Sequence, residues 1–465
     1  MSLNSSIYVS YSGMSANQTG LTVVSENMTN VDTVGYSRRQ VNTSGIYSQS
    51  TYKSRNIGSG VEIQEIKRVS DQFLRESYRE TSPEMGYWDT QNRYLYEVES
   101  SYGNIYGETI QTTGDDFFNS WEELSKDPTD QAARGLVYEE GVSFCDSVND
   151  IEGQISSIEK SCINELYDTV DTINSISSEI ASINGQISKY PDGQVPLELI
   201  DYRENLLDDL SLLVDCDRIY KSDGTVDVIS NNGILVSHDK SKDLQVLARP
   251  PKGMPEVVWE NGNQYDNDGG SLGALTDLLN TETSPSFEET KNLLNDAVLS
   301  IVNEINNIHS SGLALDGSTG IDYFIPINPD EPMGIGNLQV NPILEDTNKI
   351  AASSTDDLGN GDLAYDMSEL QNSKIIKYDD EMVTVDDFFA YYNEFLGSQT
   401  KHAEFKVSNQ KDMRIQIENQ INSVSSVSLD DEMANMVVYQ QAYNANLNVM
   451  NIVDELIGDI IQKMG

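Results

Sequence analysis

Between residues 129 and 190 the apolar or near-apolar positions are Ile151, Ile155, Ile158, Cys162, Leu166, Val170, Ile173, Ile176, Ile180, Ile183 and Ile187. They span 36 residues in ten steps, a mean of 3.6, which is one stripe along a straight α-helix. The spacing predicts a helix over 130–188, about 90 Å long at 1.5 Å per residue. A helix of that length points to a long bundle or coiled coil rather than an ordinary globular domain. Upstream, 115–140 opens with Asp115 or Asp116 as candidate N-cap, carries Phe117, Phe118, Trp121 and Leu124, and breaks at Asp127-Pro128.

The two ends carry related patterns. Leu429, Met433, Met436, Tyr439, Tyr443, Leu447, Met450, Val453, Ile457, Ile460 and Met464 span 35 residues in ten steps, a mean of 3.5, the coiled-coil period. Ser428 or Asp430 is placed to cap that helix. At the other end Ile7, Met14, Leu21 and Met28 recur every seven residues, with polar Tyr11, Gln18 and Ser25 at the alternate seam position. An amphipathic helix with a half-polar seam is marginal alone. The two terminal helices are therefore expected to pair with each other or with other subunits. Two ordinary core helices are the plainer alternative. Methionines on both stripes suit packing against several neighbours.

Ten of the twelve prolines fall between 191 and 342, none before 83 and none after 342. Loops and strands are expected in that middle region. Segments 214–221, 225–230 and 234–237 are separated by Asp223-Gly224 and Asn232-Gly233, strong hairpin signals. Segments 244–247 and 257–259 are expected to extend this small antiparallel sheet. Helix returns at 272–280 and 287–311. Residues 312–342 read as loop, 385–396 as a short helix, and 400–427 as helix again.

Charge narrows the function. There are 29 Lys and Arg against 76 Asp and Glu, a formal net charge of −47 in 465 residues. Phosphate contacts need cations, so no nucleic-acid partner is expected, and no anionic membrane surface. Residues 1–80 nonetheless sum to +1 and 429–465 to −5, leaving −43 for 81–428. The acidity belongs to the body of the chain, and the ends are nearly neutral. Hydrophobic content is 38%, below the usual ~45–50%, so an elongated shape with much polar surface is expected.

Candidate chemistry is sparse. Cys145, Cys162 and Cys216 form no CxxC pair, and His238, His309 and His402 are isolated, so neither a disulfide framework nor a zinc site can be drawn. Gly269-Gly270-Ser271-Leu272-Gly273 has nucleophile-elbow spacing, but a loop precedes it, and Ser271 reads better as a helix cap. Acidic pairs such as Asp356-Asp357 and Asp379-Asp380 lack a twelve-residue calcium loop. Gly58-Ser59-Gly60 reads as a turn. No cofactor, metal or catalytic residue is assigned. No 18-residue apolar run and no cleavable signal pattern is visible.

Specific motifs then carry a resemblance. Asn27-Met-Thr-Asn30-Val-Asp-Thr33-Val-Gly35-Tyr36-Ser-Arg38 resembles the N-terminal motif of flagellar rod, hook and hook-associated proteins, and 428–443 resembles their C-terminal motif. Internal segments are similar to the hook-associated protein 1 (FlgK) family: Phe117-Phe118-Asn-Ser-Trp121, Ala132-Ala133-Arg134, Ile183-Asn184-Gly185-Gln186-Ile187, Leu199-Ile-Asp201-Tyr-Arg203 and Gly269 through Gly273. Asn303 through His309, Asp316-Gly317 and Tyr323-Phe324 add another. The chain departs at Ser425-Ser426, where the family has Ser-Gly, and at Asp431 in Leu429-Asp430-Asp431-Glu432.

The resemblance implies a mainly α fold with an α+β or β insert. Its expected parts are a terminal coiled-coil domain (1–35 with 429–465), a long helical bundle (60–195, 270–312 and 395–428) and a β-containing outer domain (196–269 with part of 313–394). It implies a non-enzymatic subunit of the hook–filament junction, exported without a cleaved signal and located outside the cell in the flagellum. Implied partners are further copies in a ring or short tube, the hook protein, a second hook-associated protein, and an export chaperone for the C-terminal helix. The implied interface comprises Ile7, Met14, Leu21, Asn27, Met28, Asn30, Gly35, Tyr36 and Arg38, with Leu429, Met433, Met436, Tyr439, Tyr443, Leu447, Met450, Val453, Ile457 and Ile460. Another axial subunit, a secreted adhesin using the β insert, and a hydrolase at Ser271 are the rival readings.

Overall fold

The computed structural model describes residues 3–46, 58–102, 109–191, 194–231, 233–248, 254–266, 269–357 and 359–464. Long helices dominate and the sheets are small and antiparallel, so the protein is mainly α with β elements. The chain forms two compact units. The first comprises Met1–Pro83, Ile173–Asp243 and Gln410–Gly465, the second Glu84–Thr172 and Leu244–Asn409.

The first unit begins with helix α1 (Leu3–Thr29) and hairpin β1 (Arg39–Gly45) and β2 (Val61–Arg68), whose register shifts between Asn42 and Thr43. Neither strand is foreseen by the sequence reading. Helix α2 (Gln72–Tyr102) follows, with Pro83 in its interior. A helix there was not expected, since proline offers no N–H and costs about 3 kcal/mol. The Thr81 and Ser82 hydroxyls both donate to the Tyr78 carbonyl in the turn before it, at 2.8 and 2.9 Å.

Helix α3 (Ile110–Lys126) starts earlier than Asp115, because a capping box between Thr109 and Thr112 closes its first turn. It stops at Asp127, before Pro128. Helix α4 runs from Gln131 to Ile187. Its 3.6-residue stripe is buried throughout, except that Ile158 and Ile176 are half-buried. Helix α5 (Leu197–Leu213) leads into strands β3 (Asp217–Tyr220), β4 (Val226–Ser230), β5 (Gly233–Ser237) and β6 (Lys240–Ser241), paired in that order. Asn232, in the second expected turn, lies outside the described residues. Asn184 anchors α4 on this sheet. Its amide donates to the carbonyls of Val226 and His238 and accepts from Val226 N–H, as an added strand would. Arg203 donates to the Gly224 carbonyl at 2.6 Å.

Strands β7 (Leu244–Ala248) and β8 (Pro255–Trp259) form a separate two-stranded sheet and do not extend the first one. The second unit also holds α6 (Gly270–Leu279), α7 (Phe287–Ser311) and α8 (Asp362–Glu369). Gly269, not Ser271, occupies the N-cap of α6, and the Ser271 hydroxyl makes no hydrogen bond among the described residues. No base is positioned on it.

The core of this unit is aromatic: Phe117, Trp121, Phe144, Tyr323 and Phe324 pack with centroids 4.8–6.2 Å apart. The Tyr323 hydroxyl donates to the Val137 carbonyl, passing over Gly141, where a Cβ would lie 2.3 Å from it. The Arg134 guanidinium is buried and donates to the Pro128, Thr347 and Ile350 carbonyls.

Helix α9 (Val385–Ser425) is continuous, where the sequence suggested two pieces. Gly397 costs a helix interior about 1 kcal/mol. Buried Phe388, Phe389, Tyr392 and Leu396 before it, and Ala403 after it, outweigh that. Helix α10 (Leu429–Met464) follows, its first N–H groups facing Ser428 rather than Asp430.

His309, in this aromatic core, is a structural residue. Nδ1 lies 2.7 Å from the Ile321 carbonyl and Nε2 accepts from Ala351 N–H at 3.0 Å, so the ring is neutral. Burial pushes its pKa down from 6.5 to about 4. A lowered value means the stability it contributes is complete above about pH 6.5 and fades as the pH falls toward 4, by roughly 3 kcal/mol. Urea midpoints measured across that window should fall steeply in the native protein and less steeply in His309→Gln.

The candidate assembly site at the two ends

Helices α1 and α10 pair antiparallel. A Cβ on Gly13 would meet the Asn446 side chain at 2.8 Å, and one on Gly20 the Tyr439 ring at 2.6 Å. The two contacts are seven residues apart on each helix, so the pair keeps a heptad register. Glycine lets the backbones approach closely. Along α10, Met436, Tyr439, Tyr443, Leu447, Met450 and Ile457 are half-buried and Val453 is buried, while Leu429, Met433 and Ile460 are exposed. The side chain of Met464 lies outside the described residues. On α1, Ile7, Met14, Leu21 and Met28 are each half-buried, whereas Tyr11, Gln18 and Ser25 lie on the exposed face instead of in a seam.

The loop after α1 is locked by side chains. Asn27 is 1% exposed. Its amide donates to the Arg39 carbonyl and accepts from Arg39 N–H, both at 2.9 Å, and also accepts from the Tyr36 hydroxyl. Burial holds the Tyr36 phenol in its neutral form, its pKa pushed up to about 12. Asn30 donates to the Glu26 carbonyl and accepts from the Thr33 hydroxyl. Gly35 has φ +77°, and a Cβ there would lie 2.0 Å from Asn205. Both facts require glycine. Gly35→Val should cost on the order of 2–3 kcal/mol in urea unfolding.

Arg38 ties the two termini together. Its backbone N–H donates to the Ser425 carbonyl and its Nε to Glu432 at 2.8 Å, a carboxylate only 2% exposed. Next to it, Arg39 bonds Glu26 and Glu198, and Asp201 stands between Arg39 and Arg68. A cleft of about 360 Å³ opens here between the loop and α5, lined by Tyr36, Tyr202 and Asn205 among others. Its carboxylates Glu26, Glu198 and Asp201 already face Arg39.

Sequence reasoning missed a second feature of α10. Val438, Val449, Ile452 and Leu456 are exposed, Val438 by 61% and Ile452 by 57%, with Ala442 and Ala445 between them. They step by four and three residues, a second apolar heptad stripe beside the one facing α1. The signal was present in the sequence but overlaps the first stripe. Among the described residues, no His/Cys/Asp/Glu group could hold a metal, and no helix is long and apolar enough to cross a membrane.

The same segments are matched by known proteins. The family described as Flagella basal body rod protein matches residues 7–36, and Flagellar basal body rod FlgEFG protein C-terminal matches 419–463. The Flagellar hook-associated protein FlgK helical domain matches 95–324. Flagellar hook-associated protein 1 of Bacillus subtilis is 26% identical over 490 residues, covering 97% of this chain and 96% of its own. That of Escherichia coli is 22% identical over 559 residues, covering 99% and 100%. The fold is similar to that of the flagellar hook junction protein FlgK from Burkholderia pseudomallei, with a TM-score of 0.62 at 15% identity over 76% of this chain and all of the other. With both ends and the helical middle matched in order, the chain belongs to the flagellar hook-associated protein 1 (FlgK) family of flagellar axial proteins.

Proposed function

We propose that this protein is a structural subunit at the hook–filament junction of the bacterial flagellum, assembling through its terminal helices without catalysing a reaction. The observation that carries this reading is the antiparallel α1–α10 pair, which leaves the Val438-to-Leu456 stripe uncovered. An apolar heptad stripe on a paired helix is satisfied by a further helix, and an axial array supplies one from the next copy. Nearly neutral ends let copies pack without repulsion, while the −43 of residues 81–428 stays in water.

On this reading the neighbours are the hook protein on one side and a second hook-associated protein on the other, with copies closed into a ring or short tube. The unpaired stripe of α10 would be shielded by an export chaperone before assembly. Export would proceed without a cleaved signal. The test is a strain lacking this protein. It should make hooks and release filament subunits into the medium, and attached filaments of normal length would overturn the reading.

A further inference from the structure

The exposed residues of α1 step by three and four, from Tyr8 and Tyr11 through Gln18 and Thr22 to Thr29. Every one of them is a hydroxyl or amide side chain. On α10 a matching exposed stripe of amides, Gln441, Asn444, Asn448 and Asn451, runs beside the apolar one.

No Asp, Glu, Lys, Arg or His occurs in 3–25, or in 433–453. The Gly13–Asn446 and Gly20–Tyr439 contacts set the register, placing residue 26 opposite 433 and residue 6 opposite 453. The two uncharged blocks therefore lie side by side along the pair. Solvated helix faces in this chain look different. Lys401, Glu404, Lys411, Asp412 and Glu418 are all exposed on α9.

We propose that the hydroxyl stripe of α1 is a contact surface, closed by the amide stripe of α10 from a second copy of this chain. The proposal rests on the assembly reading above and assigns the partner of these two faces. A charge at such a contact would be stripped of water without a counter-ion, whereas hydroxyls and amides can satisfy each other. The Thr22 and Thr29 hydroxyls spend their protons on the Gln18 and Ser25 carbonyls of their own helix. Their oxygens are left as acceptors, and Asn and Gln amides are donors of matching reach. The amide stripe adjoins the apolar stripe of α10, so one neighbouring copy can cover both.

The experiment uses substitutions that keep shape and add one charge: Gln18→Glu, Asn448→Asp, and Gln420→Glu on the exposed face of α9 as control. Each full-length protein replaces the native one in cells, and its ratio of flagellum-attached to released protein is measured. Gln18→Glu and Asn448→Asp should lower the ratio at least tenfold, with unchanged circular dichroism of the released protein, and Gln420→Glu should stay within twofold. If all three match the native protein while Val449→Asp detaches, the stripes face water and this inference falls while the assembly reading stands. If Val449→Asp also stays attached, the assembly reading itself fails.

Discussion

A chain carrying Val449→Asp and Ile452→Asp is expected to fold and reach the medium yet hold no filament. Both side chains are about half exposed in the single chain, so the fold should lose at most about 0.5 kcal/mol. Once a neighbouring copy covers the stripe, the sum changes. Burying a Val or Ile contributes ~1.5–3 kcal/mol, which the substitution forfeits. Each copy would also bring two carboxylates into an apolar seam without a counter-ion. A loss beyond 100-fold in subunit association follows. Thermal unfolding of the secreted protein and microscopy of the cells separate the two effects. A lowered melting temperature would move Val449 and Ile452 into the fold of the single chain.

Arg79→Ala should be the most damaging single substitution in the first unit, by about 3–5 kcal/mol. The Arg79 side chain is fully buried and bonds Asp208 at 2.5 Å, Glu204 at 2.9 Å and the Tyr220 hydroxyl at 2.8 Å. Glu76 joins from the other side, shared with Arg218 and Tyr220. Burial pushes the Asp208 carboxyl up, whereas Arg79 and Arg203 hold Glu204 below its usual range in spite of burial. Removing Arg79 leaves two carboxylates in a site that cannot hydrate them. Arg79→Met should fail almost as badly although its volume fits. The pair Arg79→Met with Glu204→Gln should recover part of the loss in urea unfolding, since one orphaned charge is then gone.

The parts of this structure that were legible in the sequence are those written in periodicity. The stripe of α4 and the 3.5-residue stripe of α10 come from single helices, so spacing alone reveals them. The Asp223-Gly224 turn was legible for a local reason as well, with Gly224 at φ +80°. The α1 side of the terminal pair was not, because its closest approach to α10 is made by Gly13 and Gly20, which carry no hydrophobic signal. Methionines seven residues apart drew attention to a face that is only half covered. The Arg79 cluster was equally silent, since its partners lie 125–141 residues away. The roles of Asn27, Gly35 and Arg38 came into view only when Arg39, Asn205 and Glu432 were found against them. In each case the sequence held the residue and the fold supplied its partner.

The central claim is that the two ends, and not the acidic body, join this protein to the flagellum. The most direct measurement replaces the native protein with a chain lacking residues 435–465 and records whether filaments stay on the hooks. The account predicts an intact, protease-resistant second unit in the medium, hooks on the cells, and filament subunits shed unpolymerised. Filaments anchored as firmly as in the parent strain would contradict it.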